Sequence, residues 1–441
     1  MAAPLSRRDL LKWFSAGAGA ATVGSAAWLI GRDGTGDPDA GGASPADRAS
    51  DTTVTPNRAK PSSTGGADAS PAGQRVLVVV DMPGGSDGMS MVVPHGISGY
   101  YDLRPTTAVP AEEVLDVDGE LGYHPRLAGI RDRGAAMILG VGAAETDGSH
   151  FEMQARWWEG SPNRTGAFDT GFLGRLADVI ADPDVPVTAM AIGPGAHPTM
   201  IAARASTLTV PNAQASGYLT GAASDDLLLQ RFQRGYRAFG NGTGTDFETR
   251  RRHIAERTVA FAEAAGTYRT EDNPFGYGDD QLGGGLRMAA HLFDQDLGLR
   301  IVHISMDGDF DTHEGHPWRH DENMAALDRS VDAFFRDIEA RGLADRVLLA
   351  TATEFGRTAA ENGSTGLDHG WANNHLLMGP VHAGRFGEHP KMAGVDEQGG
   401  GFAPTVGLDS YLATLAQGWF GVPASEVLDG NPEPLDGVLV S

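Results

Sequence analysis

The chain has 441 residues, 34 Lys plus Arg against 58 Asp plus Glu, a formal charge of −24 and no cysteine. That length fits about two to three average domains, or one large α/β domain with extensions. The missing cysteine excludes disulfide scaffolds, zinc ribbons, thiolate clusters and cysteine nucleophiles together, so any metal must sit on oxygen and nitrogen ligands. The acidic balance argues against nonspecific nucleic-acid binding and a polybasic membrane surface, because phosphate contacts need a basic face.

At the N-terminus, Ser6-Arg7-Arg8-Asp9-Leu10-Leu11-Lys12 precedes the weakly apolar stretch Trp13 to Ile30. This resembles a twin-arginine export signal. The resemblance implies the twin-arginine export machinery as a partner and an extracellular or cell-envelope location. Membrane contact is then expected only through an uncleaved leader, and cleavage and retention both remain open. Residues 1–32 thus form a signal segment. Residues 33–74 hold no aromatic side chain and consist mostly of Gly, Ala, Ser, Thr, Pro and Asp. Such a stretch cannot bury enough apolar surface to offset its ordering entropy, so a disordered spacer is expected there.

The folded part is expected over 75–441. Arg75 to Val80 is a continuous β-branched run ending at Asp81, which fits a strand buried on both faces of a parallel sheet. Ala135 to Val141 and Val185 to Ile192 repeat the pattern, and Pro125 to Arg133 reads as a helix. Leu299 to Met306, Glu322 to Arg341 and Arg346 to Thr351 form a strand, helix, strand unit. In that helix Met324, Leu327, Val331, Phe334 and Ile338 make one stripe, and Gly342 stands at its C-terminal cap. Residues 223–297 are richer in helical pattern and read as an inserted helical layer. The expected architecture is α/β, a doubly wound and mostly parallel sheet flanked by helices, with function gathered in loops at the strands' carboxyl ends.

Four stretches at such ends carry ligand-type side chains. The densest is Asp307, Asp309, Asp311, His313, Glu314, His316, His320 and Asp321, which as a donor set suits a divalent cation. It lacks the Gly and Glu spacing of an EF-hand, and it also reads as a solvated loop capping the next helix. Glu354-Phe355-Gly356-Arg357-Thr358 with Asp368-His369-Gly370 and His375 is the second. There Arg357 could clamp a phosphate or sulfate oxygen, or form a surface ion pair. In Asp147-Gly148-Ser149-His150-Phe151-Glu152, Ser149 and Glu152 have the spacing of a capping box, and the same place suits an activated hydroxyl with His150 as ligand or proton carrier. Gly84-Gly85-Ser86-Asp87-Gly88 has neither the Lys of a P-loop nor a dinucleotide fingerprint, but adds Asp81 and Asp87 to the same edge.

Taken in order, Gly84-Gly85-Ser86-Asp87-Gly88-Met89 with Val93-Pro94, Ser149-His150-Phe151-Glu152-Met153-Gln154, Asp311-Thr312-His313, Glu354-Phe355-Gly356-Arg357-Thr358 and Asp368-His369-Gly370 resemble the exported bacterial family known as domain of unknown function 1501. That family is similar to the alkaline phosphatase and sulfatase superfamily. The resemblance implies an alkaline-phosphatase-like fold and a metal-dependent hydrolase of phosphate or sulfate esters, with one or two divalent metals among zinc, manganese, calcium and magnesium. It implies Asp87, Asp311, His313, Glu354, Asp368 and His369 as metal ligands, Ser149 as nucleophile, and His150 and Arg357 as its helpers. Asp81 remains open as the carboxylate in place of Asp87, and Asp309 in place of Asp311. Trp371 stands where the family has a second His, and Glu354-Phe355 where the superfamily has Asp-His. A noncatalytic exported binding protein on the same fold is the alternative.

Overall fold

The structure, a computed structural model, describes residues 75–144, 148–163, 169–211, 253, 255–261, 263–264, 268, 273–389, 392 and 401–440. The expected export leader, the spacer over 33–74 and residues 223–252 of the expected helical layer lie outside the described residues.

Five consecutive apolar side chains of strand β1 (Val76–Asp81) are buried. Alternate side chains of a strand point to opposite faces, so such a run needs cover on both. The elements that follow are α1 (Gly88–Met91), β2 (Ala136–Gly142), α2 (His150–Glu159), α3 (Phe172–Ile180), β3 (Ala189–Ile192) and β4 (Thr207–Val210). Then come α4 (Gln281–Asp294), β5 (Ile301–Ser305), α5 (His316–Ala340), β6 (Val347–Ala352), β7 (Asn373–Met378), β8 (Gly384–Phe386), β9 (Val406–Gly407) and α6 (Leu408–Ala413). Among the described residues they form a nine-stranded sheet ordered β8-β2-β7-β6-β1-β5-β3-β4, with β9 also paired to β2. Strand β7 runs antiparallel to β2 and β6, and the other pairings in this sheet are parallel.

Each face of the sheet carries its own core. Val78 and Val80 pack with Leu282 and Leu286 of α4 and with Met324, Leu327, Val331, Phe334 and Ile338 of α5. That α5 stripe is fully buried, and each such side chain contributes about 1.5–3 kcal/mol of apolar transfer. Leu77 and Val79 face Phe172 and Leu176 of α3, Tyr411 and Leu412 of α6, and Trp419. The result is the three-layer, mostly parallel arrangement expected of alternating strands and helices.

Two boundaries differ from the sequence expectation. The strand expected over Val185 to Ile192 is confined to Ala189–Ile192. Pro186 has no N–H to give to a central ladder. Helix α5 starts at His316 rather than near Glu322. Gly315 turns the chain with φ 59° and Pro317 fits the first turn, where its missing N–H costs nothing. Among the described residues, no helix is long and apolar enough to cross a membrane.

Candidate metal centre

The loops after β1, β2, β5 and β6 all emerge at one edge of the sheet. Strand β7 runs the other way, so its preceding loop, with Asp368 and His369, arrives at that same edge. Gly84 lets these loops close on one another. Its N–H donates to Glu354 Oε1 at 2.9 Å and its carbonyl accepts from Arg357. Its φ is +108°, and a Cβ there would lie 2.7 Å from the Asp311 nitrogen, so only glycine fits.

At this edge His150, Asp311 and His369 present ligand atoms close enough to share one cation. His150 Nε2 is 3.7 Å from Asp311 Oδ2, and His369 Nε2 is 3.4 Å from Asp311 Oδ1. His313 joins them, with Nε2 at 3.1 Å from Asp311 Oδ1 and 2.9 Å from His369 Nε2. The remaining nitrogen of each ring is anchored. His150 Nδ1 meets Glu354 Oε1 at 2.7 Å, His313 Nδ1 meets Asp368 Oδ1 at 2.8 Å, and His369 Nδ1 meets the Gly148 carbonyl at 2.7 Å. A carboxylate or carbonyl can only accept, so Nδ1 is the donor in all three and Nε2 faces Asp311. Anchoring one ring nitrogen to orient the other is how metal-ligating histidines are held. Two imidazoles and a carboxylate suit zinc, manganese or iron.

The electrostatics keep the carboxylates ionised. Burial opposes the charge on Asp311, but the Arg357 guanidinium and nearby His313 lower its pKa below the ordinary value. Burial likewise opposes Glu354, and hydrogen bonds from His150 and Gly84 outweigh it. Asn362 and His313 lower Asp368. Burial lowers the pKa of His369, which favours the neutral, ligating ring.

Several expected residues sit elsewhere or act otherwise. Asp87 does not reach the cluster. It is buried, caps α1 through the Ser90 N–H, and takes Arg104 Nη1 at 2.6 Å and Nη2 at 3.1 Å, with His316 Nε2 3.3 Å away. Burial opposes its ionisation, but Arg104 and His316 hold the carboxyl well below the usual range. Arg357 is not poised as an anion clamp. Its buried guanidinium donates to the carbonyls of Gly84, Gly85, Leu367 and Phe310 and to Asp311 Oδ1 at 2.6 Å, so it tethers three loops. Ser149 is the N-cap residue of α2, and its side chain makes no capping hydrogen bond. His316 and His320 are buried on α5, and Asp309 pairs with Arg319. His375 lies within β7, where Nδ1 meets the Thr351 carbonyl at 3.1 Å.

A second group was not legible in the sequence. Asp81, at the end of β1, meets His197 from the loop after β3 and His303 from within β5. Oδ2 of Asp81 is 3.6 Å from His197 Nε2 and 3.8 Å from His303 Nε2. These three line one pocket with Gln154, Trp157, Glu354 and Tyr411. A histidine inside an apolar strand run reads as core, and its partner on β1 is known only once β1 and β5 are paired.

Fold and centre together define an α/β protein with a histidine and carboxylate cluster at the carboxyl edge of a mostly parallel sheet. A family described as protein of unknown function (DUF1501) matches residues 133–399, more than half of the chain, and the chain belongs to that family. No curated protein matches it. Similar solved structures include the lipoteichoic acid synthase LtaP from Listeria monocytogenes, at 7% identity and TM-score 0.38 over 83% of this chain and 76% of that one. A protein in the alkaline phosphatase superfamily from Vibrio parahaemolyticus aligns at 11% identity and TM-score 0.38 over 80% and 69%. The PsFucS1 sulfatase from Pseudoalteromonas sp. aligns at 10% identity and TM-score 0.36 over 82% and 73%.

Proposed function

We propose that this protein is an exported, metal-dependent hydrolase of phosphate or sulfate esters. The observation that carries the reading is the convergence of three Nδ1-anchored histidines, His150, His313 and His369, on Asp311. His150, Asp311 and His369 would hold a divalent cation, with His313 at its margin. When bound, the cation supplies Lewis-acid polarisation of an ester oxygen. The chain's own residues supply the rest. Glu354, Asp368 and the Gly148 carbonyl fix the three rings, and Arg357 fixes Asp311, so the donors need no reorganisation when a substrate arrives. Ser149 adjoins His150 at the N-terminus of α2, where helix amides favour an anion, and it serves as the nucleophile. Residues 1–32 direct export through the twin-arginine machinery, and 33–74 are a spacer.

Elemental analysis of protein expressed with zinc, manganese, calcium and magnesium available, joined to a screen of generic phosphate and sulfate esters, tests this. Asp311→Ala and His369→Ala should lower metal and hydrolysis together, whereas Ser149→Ala should abolish hydrolysis and keep the metal. Wild type without stoichiometric metal under every condition would sink the assignment. Metal-bearing wild type that cleaves neither ester class favours the noncatalytic reading. Replacing Arg7 and Arg8 by Lys should leave the protein in the cytoplasm.

A further inference from the structure

Asp81 is a carboxylate without a cation. Its side chain is 15% exposed, and among the described residues no Lys or Arg pairs with it. Asp87, six residues on, marks the contrast, because Arg104 neutralises it. A buried carboxylate ordinarily requires a paired charge or a metal. Around Asp81 stand imidazoles instead. His303 is 3% exposed and makes no side-chain hydrogen bond among the described residues. His197 packs on it with ring centroids 3.9 Å apart, and among the described residues its buried Nδ1 has no hydrogen-bond partner. Among the described residues, Ser305 Oγ at 3.4 Å is the remaining polar contact of Oδ2.

The spacing of these atoms decides between a hydrogen-bonded cluster and a ligand set. Separations of 3.6 and 3.8 Å from Asp81 Oδ2 to the two Nε2 atoms are too long for hydrogen bonds. Ligand atoms held about 2.0–2.2 Å from one tetrahedral cation lie roughly 3.3–3.6 Å apart, close to what is observed. Three chain segments that are distant in sequence, the end of β1, the loop after β3 and the middle of β5, supply one donor each. The group also lies on the α3 and α6 side of the sheet rather than in the loops above its edge, since His303 and Val79 are register partners and Val79 packs with that layer.

We propose that Asp81, His197 and His303 form a second divalent-cation site, separate from the centre at His150, Asp311 and His369. Its two nitrogens and one oxygen select a zinc-class ion. Glu354 stands between the two sites. Its Oε1 anchors His150 of the first, and its side chain lines the pocket of the second. Asp81, His197 and His303 all line that pocket, whose other walls include Trp157, Trp158 and Tyr411.

The test is metal stoichiometry on the full-length chain loaded with zinc, read by elemental analysis and, after cobalt substitution, by the visible spectrum. The site predicts two equivalents in wild type and one in His197→Ala, in His303→Gln and in Asp311→Ala. His197 lies in a loop, so its variant guards against a simple folding defect in His303→Gln, and circular dichroism confirms the fold of each. Wild type with one equivalent that survives His197→Ala and His303→Gln but is lost in Asp311→Ala overturns this site and leaves the proposed function standing. One equivalent that survives Asp311→Ala but is lost in His303→Gln does the reverse. No metal in any of them overturns both.

Discussion

His313 and His369 face each other Nε2 to Nε2 at 2.9 Å while each gives its Nδ1 proton to an oxygen. Two neutral rings so arranged point lone pairs at one another, with the Asp311 carboxylate beside them. The centre is therefore short of one positive charge, which a metal or a proton can provide. Zinc affinity should fall as the pH is lowered, because protons compete for the same nitrogens, and the lowered pKa of His369 places its share of that loss below the ordinary histidine value. Chelator competition at several pH values measures it. An affinity that does not change from pH 7.5 to 5 excludes histidine ligation.

The Asp87 and Arg104 pair lies in a fully buried setting, with side chains 1% and 0% exposed. Removing either partner leaves the other as an uncompensated buried charge. Arg104→Met should cost about 3–5 kcal/mol of stability, and Asp87→Asn a similar amount. Neither should change metal content, since Asp87 takes no part in the cluster. Denaturant unfolding beside elemental analysis reads both. An Asp87→Asn protein of normal stability that has lost metal would contradict this placement.

The strands were readable because β1, β2 and β6 are largely apolar runs and β5 is one interrupted by His303, as a doubly covered sheet favours. Strand β7 was not, since Asn373-Asn374-His375 opens it with polar side chains. Their roles, such as Asn373 Oδ1 accepting the Gly88 N–H at 2.6 Å, exist only in the assembled edge. His150, Asp311, Glu354 and His369 were legible as ligand types beside strand ends. The partner that claims Asp87 was not, because nothing local connects it with Arg104. Arg357 reads as a clamp in sequence, and its burial under three loops is a tertiary property.

Buried histidines outside the centre set the acid limit of the fold. Burial lowers the pKa of His124 to about 4 and that of His375 to about 3. Both values lie below the unfolded value, so the unfolded chain binds protons first as pH falls. Their contribution to stability is complete above about pH 6.5 and is lost toward pH 4 for His124 and pH 3 for His375. For His124 the whole effect is about 3 kcal/mol. Urea unfolding from pH 7.5 to 4 should show declining stability, and His124→Gln should flatten part of that slope. A profile flat down to pH 4 would contradict burial of neutral rings.

Glu354 joins the hydrogen-bond network to the metal chemistry, and two substitutions separate these tasks. Its Oε1 accepts from Gly84 N–H at 2.9 Å, His150 Nδ1 at 2.7 Å and Gln154 Nε2 at 3.1 Å. Glu354→Gln keeps an oxygen for these donors, and its amide can donate to Thr353 Oγ1, now 3.2 Å from Oε2. What it removes is the charge that makes His150 a stronger base at Nε2. Metal affinity should therefore drop about 10- to 100-fold while the metal-free protein keeps nearly its wild-type melting temperature. Glu354→Ala leaves the Gly84 N–H and His150 without an acceptor, and should cost about 1–3 kcal/mol of stability in addition. Calorimetric titration with zinc, beside melting curves of the metal-free variants, reads the two effects separately. If Glu354→Gln binds zinc as tightly as wild type and only Glu354→Ala is impaired, Glu354 is a packing and hydrogen-bonding residue, and the orientation of His150 does not depend on its charge.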